Sequence, residues 1–138
     1  MKISILISLI LLTKISFAQQ INIRVSEFKN DKGYCIACLF NSEKGFPTKP
    51  EIALKCSKLK IKDKIALFEF EKLPKGEYAI AVFHDENNNG KLDENFLGMP
   101  KEGYGASNNK RSSFGPPKFD QSKFSLNGIS SINIYLKY

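Results

Sequence analysis

The segment Asp85-Glu86-Asn87-Asn88-Asn89-Gly90-Lys91-Leu92-Asp93 sets oxygen-bearing side chains at alternate positions ahead of a glycine. Counted from Asp85, Asn87 and Asn89 occupy positions 3 and 5 and Gly90 position 6, the D-x-[DN]-x-[DN]-G arrangement of calcium loops. Calcium is a hard cation that takes six to eight oxygen ligands, and alternating Asp and Asn side chains curl around it where a glycine permits the sharp turn. Lys91 falls where only a backbone carbonyl is needed, and Asp93 where a carboxylate ligates directly or through water. The position of the bidentate Glu of helix-loop-helix sites is taken by Phe96, so the closing carboxylate must come from farther along, from Glu102 first and Glu94 second. The expected ligand set is therefore Asp85, Asn87, Asn89, Lys91, Asp93 and Glu102, with a modest affinity of about 0.1–1 mM. The competing reading is an Asn-Gly turn closing a long hairpin with its acids merely solvated. Matches at five positions favour calcium.

Other chemistry is weaker. His84 is the single imidazole and adjoins Asp85. The alternative is a hydrolase using His84 with the loop carboxylates; a triad of Ser107, His84 and Asp85 or Asp93 is conceivable, but Ser107 lies in Gly-Ala-Ser-Asn-Asn, not in a G-x-S-x-G elbow. Asp93 and Glu102 as a glycosidase pair are better explained as metal ligands. Lys58, Lys60, Lys62 and Lys64 alternate with Leu59, Ile61, Asp63 and Ile65. They suggest either a basic stripe for polyanions or a solvated edge that discourages strand pairing, and the second is the commoner use. Tyr104 and Asn108 are candidates for a carbohydrate or peptide contact, although aromatics more often pack.

One His and three Cys exclude multi-His and Cys-rich metal sites. Cys35 and Cys38 match C-x-x-C, but they lie in the apolar, β-prone run Tyr34 to Phe40, where a separation of three points the thiols to opposite faces. Neither a redox dithiol nor a zinc half-site fits, and buried structural cysteines are expected. A bridge between Cys56 and one of the other two is open.

The elements that must position these residues begin after a leader. Met1-Lys2, the apolar stretch Ile3 to Leu12 and Ser16-Phe17-Ala18 predict a signal peptide over residues 1–18, cleaved before Gln19. The stretch is shorter than the roughly 20 residues of a membrane span, so no transmembrane segment remains after cleavage. Removing Lys2 and Lys14 leaves 19 basic and 14 acidic residues, a net +5, too dispersed for nucleic-acid binding. With 42% apolar and 25% charged residues, residues 19–138 are expected to form one ordinary globular, monomeric domain, exported to the periplasm or beyond.

The dominant pattern in that domain has period two. Ile21, Ile23 and Val25 alternate with polar residues, as do Ile132, Ile134 and Leu136, and Tyr34 to Phe40 reads as a more buried strand. Ile52 to Cys56, Lys58 to Ile65, Leu67 to Glu71, Glu77 to Phe83 and Phe119 to Leu126 complete the β signals, with turns at Lys29–Gly33 and Leu73–Gly76. Glu51 to Lys72 has helix-forming residues, but the lysine alternation favours strand. About seven short strands predict an all-β, antiparallel sandwich. The 35 residues from His84 to Lys118 form one long loop, expected to be ordered by Phe96, Tyr104, Phe114 and the ion.

Leu73-Pro74-Lys75-Gly76-Glu77-Tyr78-Ala79-Ile80-Ala81-Val82-Phe83-His84-Asp85, the Asn-rich loop and Gly98-Met99-Pro100-Lys101-Glu102-Gly103-Tyr104-Gly105 closely resemble the exported bacterial family catalogued as domain of unknown function 2141. The resemblance is sharpest over Leu73 to Asn109, and the Leu-Pro-x-Gly-x-Tyr turn also resembles transthyretin-like and carboxypeptidase-regulatory-like modules. It implies a small exported immunoglobulin- or transthyretin-like sandwich of Gram-negative bacteria, with no catalytic residues to carry over and no cysteines in its pattern. The expected role is a non-enzymatic, calcium-stabilised binding or accessory module of the cell envelope, with a carbohydrate or protein ligand.

Overall fold

The computed structural model describes residues 19–110 and 114–138, so the leader predicted over residues 1–18 lies outside the described residues. Eight strands are present among them: β1 (Gln19–Ser26), β2 (Tyr34–Phe40), β3 (Lys55–Lys60), β4 (Ala66–Leu73), β5 (Gly76–Asp85), β6 (Tyr104–Ala106), β7 (Phe124–Leu126) and β8 (Ile129–Tyr135). One sheet runs β4-β1-β8; the other runs β3-β2-β5-β6, with β7 paired to the start of β5. The all-β sandwich stands, with pairing antiparallel except between β1 and β8, which run parallel from Gln20↔Ile129 to Ser26↔Tyr135.

Period two explains the central layer. Ile21, Ile23 and Val25 of β1 and Ala66, Phe68 and Phe70 of β4 face Cys35, Ala37 and Leu39 of β2 and Ile80 and Val82 of β5. The continuous apolar run of β2 has a separate cause, since its other face is buried too. Ile36, Cys38 and Phe40 pack with Ala81 beneath Phe46, Ala53 and Phe119, brought over by the 41–54 connection and by α1 (Phe119–Ser122). A strand covered on both sides loses its polar alternation.

The same two-sidedness settles the cysteines. Cys35 is a free, fully buried thiol of the central core, whereas Cys38 points to the outer layer and is bridged to Cys56, its cross-strand neighbour on β3. Cys35 and Cys38 are both buried, as expected of structural cysteines, while Cys56 is exposed. The bridge closes a loop of 18 residues, a constraint worth about 3 kcal/mol in the unfolded chain.

Three local expectations change. Lys62 to Ile65 is a tight turn, Lys62 and Ile65 exchanging backbone hydrogen bonds of 3.0 Å, so the lysine alternation ends as a strand at Lys60. Pro50–Ile52 is a single 3-10 turn, which takes Ile52 out of the third strand. Phe119–Ser122 is a helical turn, leaving only Phe124–Leu126 as strand. On one side the sheets are joined by Tyr104 and Lys137, whose backbones exchange two hydrogen bonds of 2.9 Å. On the other side β3 and β4 end the two sheets as edges.

Candidate metal centre

Strand β5 delivers His84 and Asp85, both fully buried, to the start of the polar loop. The turn between β1 and β2 lies directly against it. Gly33 has φ +67°, and a Cβ there would lie 2.0 Å from the Asp85 carbonyl oxygen, so only glycine allows this approach. The Asp85 carboxylate accepts the N–H groups of Asn89 (3.1 Å) and Gly90 (2.8 Å), folding positions 5 and 6 back onto position 1. Asn88 and Gly90 supply the left-handed backbone this requires, at φ 57° and 76°. The side-chain oxygens of Asn87 and Asn89 accept the N–H groups of Asn89 (3.3 Å) and Lys91 (3.0 Å). Their amide groups donate to the two oxygens of Asp93, at 2.6 and 2.7 Å.

Glu102 reaches this loop, and Glu94 does not. The Glu102 side chain is buried, and its two oxygens accept the N–H of Glu86 (2.9 Å) and of Asp93 (3.1 Å), bracing both ends of the loop. Glu94 is exposed and pairs across a hairpin with Pro100. Among the described residues, no Lys, Arg or His forms a salt bridge to Asp85, Asp93 or Glu102. The nearby Lys29 goes instead to Glu86, at 3.0 Å. Burial, the largest influence on Glu86, raises its pKa; hydrogen bonds from Asn30 and Lys29 and the Lys29 charge outweigh it, and the net shift is downward.

The donor set is all oxygen and carries the chemistry calcium takes: carboxylates of Asp85, Asp93 and Glu102, amide oxygens of Asn87 and Asn89, and the Lys91 carbonyl. Each carboxylate oxygen here accepts an N–H and keeps a further lone pair. Among the described residues no three His, Cys, Asp or Glu side chains gather closely enough to hold an ion by themselves. Coordination therefore depends on Asn87 and Asn89 turning their oxygens, rather than their NH2 groups, inward. The residues fit a calcium ion on those terms.

Ser107 and His84 are engaged separately. His84 Nε2 lies 2.6 Å from the Lys32 carbonyl oxygen, which only accepts, so Nε2 carries the ring proton. In the neutral ring Nδ1 then accepts from the Tyr138 hydroxyl, 2.6 Å away. Ser107 is fully buried; its hydroxyl accepts from Ile80 N–H (2.9 Å) and donates to the Ser122 carbonyl (2.5 Å). The two side chains have separate partners and form no dyad.

Of the lysine stripe, Lys58 and Lys60 remain together, their ammonium groups 4.3 and 5.8 Å from the centre of the Tyr34 ring. Of the aromatics expected to anchor the loop, Tyr104 is half-buried and paired into β6, whereas Phe96 and Phe114 are 96% and 92% exposed. The buried carboxylates of Asp85 and Glu102 pin it as well. Asn108 holds α1 by donating to the carbonyls of Gln121 (3.2 Å) and Lys123 (2.9 Å), which leaves Tyr104, half-buried on β6, as the remaining surface candidate.

Sequence reasoning passed over Tyr138 and Gly103. A Cβ on Gly103 would lie 2.5 Å from the Tyr138 ring, so this glycine makes room for the residue that holds His84. The profile of a bacterial family described as an uncharacterized protein conserved in bacteria (DUF2141) matches residues 23–133, and the chain belongs to that family. No curated protein and no solved structure matches it.

Proposed function

We propose that this family member is an exported, non-enzymatic β-sandwich whose Asp85–Asp93 loop is stabilised by calcium, and that it serves as a binding or accessory module of the bacterial cell envelope. The observation that carries the reading is Glu102. A buried carboxylate arriving from outside the loop braces both its ends, beside buried Asp85, and among the described residues neither acid has a basic partner. Buried carboxylates call for a compensating positive charge, and a divalent cation supplies it where no Lys or Arg does. Asp85, Asn87, Asn89, Lys91, Asp93 and Glu102 would hold the ion, whose charge would lock the loop and present Tyr104 and its neighbours in one shape.

Export is supported by the leader-like residues 1–18 and by the Cys38–Cys56 bridge, a linkage that persists in oxidising compartments. Calorimetric titration with calcium chloride tests the proposal on wild type, Asp85→Ala and Glu102→Gln. Saturable binding at about 0.1–1 mM by wild type alone is the expected result. If wild type releases no heat and melts at one temperature in calcium and in chelator, the proposal fails.

A further inference from the structure

The hairpin that leaves the Asp85–Asp93 loop ends in apolar side chains lying open to solvent. Its arms are tied at the base, where Lys101 N–H donates to the Asp93 carbonyl (2.7 Å) and Glu94 pairs with Pro100. Asn95 closes the tip. Its side-chain oxygen accepts the N–H groups of Leu97 (2.9 Å) and Met99 (3.0 Å). Its backbone N–H donates to the Met99 carbonyl (2.8 Å), and its carbonyl accepts Gly98 N–H (2.9 Å). The turn so built holds Phe96, Leu97 and Met99 at 96%, 68% and 61% exposure. Single exposed apolar residues are ordinary; three within four positions, on a turn whose backbone is internally bonded, form a prepared contact surface.

We propose that this hairpin docks on an anionic lipid bilayer. Phe96, Leu97 and Met99 enter the boundary between headgroups and acyl chains, and exposed Lys91 and Lys101, flanking the hairpin base, meet the lipid phosphates. Size and charge choose this occupant. Three side chains on a protruding turn supply a few hundred Å², short of the roughly 800 Å² per partner of a standard protein interface. A bilayer needs only a convex apolar tip; at its base exposed Lys91 and Lys101 stand beside exposed Glu94, and the net +5 of residues 19–138 supplies the attraction to anionic lipid. The proposal stands apart from the calcium reading, because Asn95 closes the tip without an ion.

The chain has no Trp, so Phe96→Trp places a single reporter at the tip. The full chain and its variants are sedimented with vesicles of phosphatidylcholine alone and of phosphatidylcholine with phosphatidylglycerol. Wild type is expected to sediment with the anionic vesicles, and Phe96→Trp emission to shift to the blue on them. The triple variant Phe96→Ser, Leu97→Ser, Met99→Ser should bind at least roughly tenfold more weakly with an unchanged melting temperature. An apolar leader, where retained, contributes equally to wild type and triple variant, so their difference still reports on the tip. Absence of sedimentation, equal binding by the triple variant, or unshifted emission on vesicles that do sediment the protein would each overturn the proposal.

Discussion

The Tyr138 hydroxyl lies 2.6 Å from Nδ1 of His84, a fully buried ring whose other nitrogen is fixed on the Lys32 carbonyl. This contact ties the last residue of the chain to the end of β5 and to the turn between β1 and β2. Tyr138→Phe leaves Nδ1 without its hydrogen-bond partner and should cost about 1–3 kcal/mol in urea unfolding. Burial, countered in part by the Lys29 N–H, holds the Tyr138 phenol above its usual pKa. A folded-state pKa that is raised gives stability present below the unfolded value, near pH 10, and lost as pH rises through the higher folded value. Wild type should therefore lose stability more steeply than Tyr138→Phe above about pH 10.

Glu86 gives the opposite dependence at the acid end. Its lowered pKa yields stability present above the usual carboxylate value, about 4.3, and lost as pH falls through the depressed one. Glu86→Gln removes that component. Urea midpoints of wild type and variant should converge as pH falls below about 4.

Glu102→Gln keeps the shape of the side chain but turns an NH2 toward the N–H of either Glu86 or Asp93. We expect a loss of about 1 kcal/mol in the absence of any metal, since one half-buried donor loses its acceptor. Under the proposed function the variant also loses the rise in melting temperature on adding calcium. Glu94→Gln, on the exposed hairpin arm, should change neither quantity.

The three cysteines should separate chemically. Burial pushes the Cys35 thiol well above its usual pKa, so a thiol reagent should modify no cysteine of the oxidised native protein and one after unfolding. The double variant Cys38→Ala, Cys56→Ala removes the bridge and should cost roughly 2–4 kcal/mol.

What the sequence discloses depends on whether neighbours in space are also neighbours along the chain. Period two places β1, β4 and β8, because each has one buried face, and the Tyr34–Phe40 run is legible as a strand for the opposite reason. The opposite facing of Cys35 and Cys38 follows from strand geometry, and the structure has it so. The pairing of Cys38 with Cys56 needed the register of β2 on β3, which no local pattern encodes. In the candidate site, the turn chemistry from Asp85 to Gly90 is local and readable. The arrival of Glu102 was one of two choices, decided by a hairpin that Asn95 reverses. Strand β6 went unread because Gly103 and Gly105 resemble loop residues, although both stand where side chains of β8 and the C-terminal segment leave no space for a Cβ. Phe96 and Phe114 misled as anchors, since aromaticity alone does not say which way a side chain faces.

The parallel pairing of β1 with β8 places the first strand of the described domain at the centre of its sheet, between β4 and a strand that starts at Ile129. β1 can pair with β4 early, but the sheet is complete only once Ile129–Tyr135 is present to pair on its other side. Pairing across so long a stretch of sequence is slow to form, so this sheet acquires its final three-stranded form late in folding.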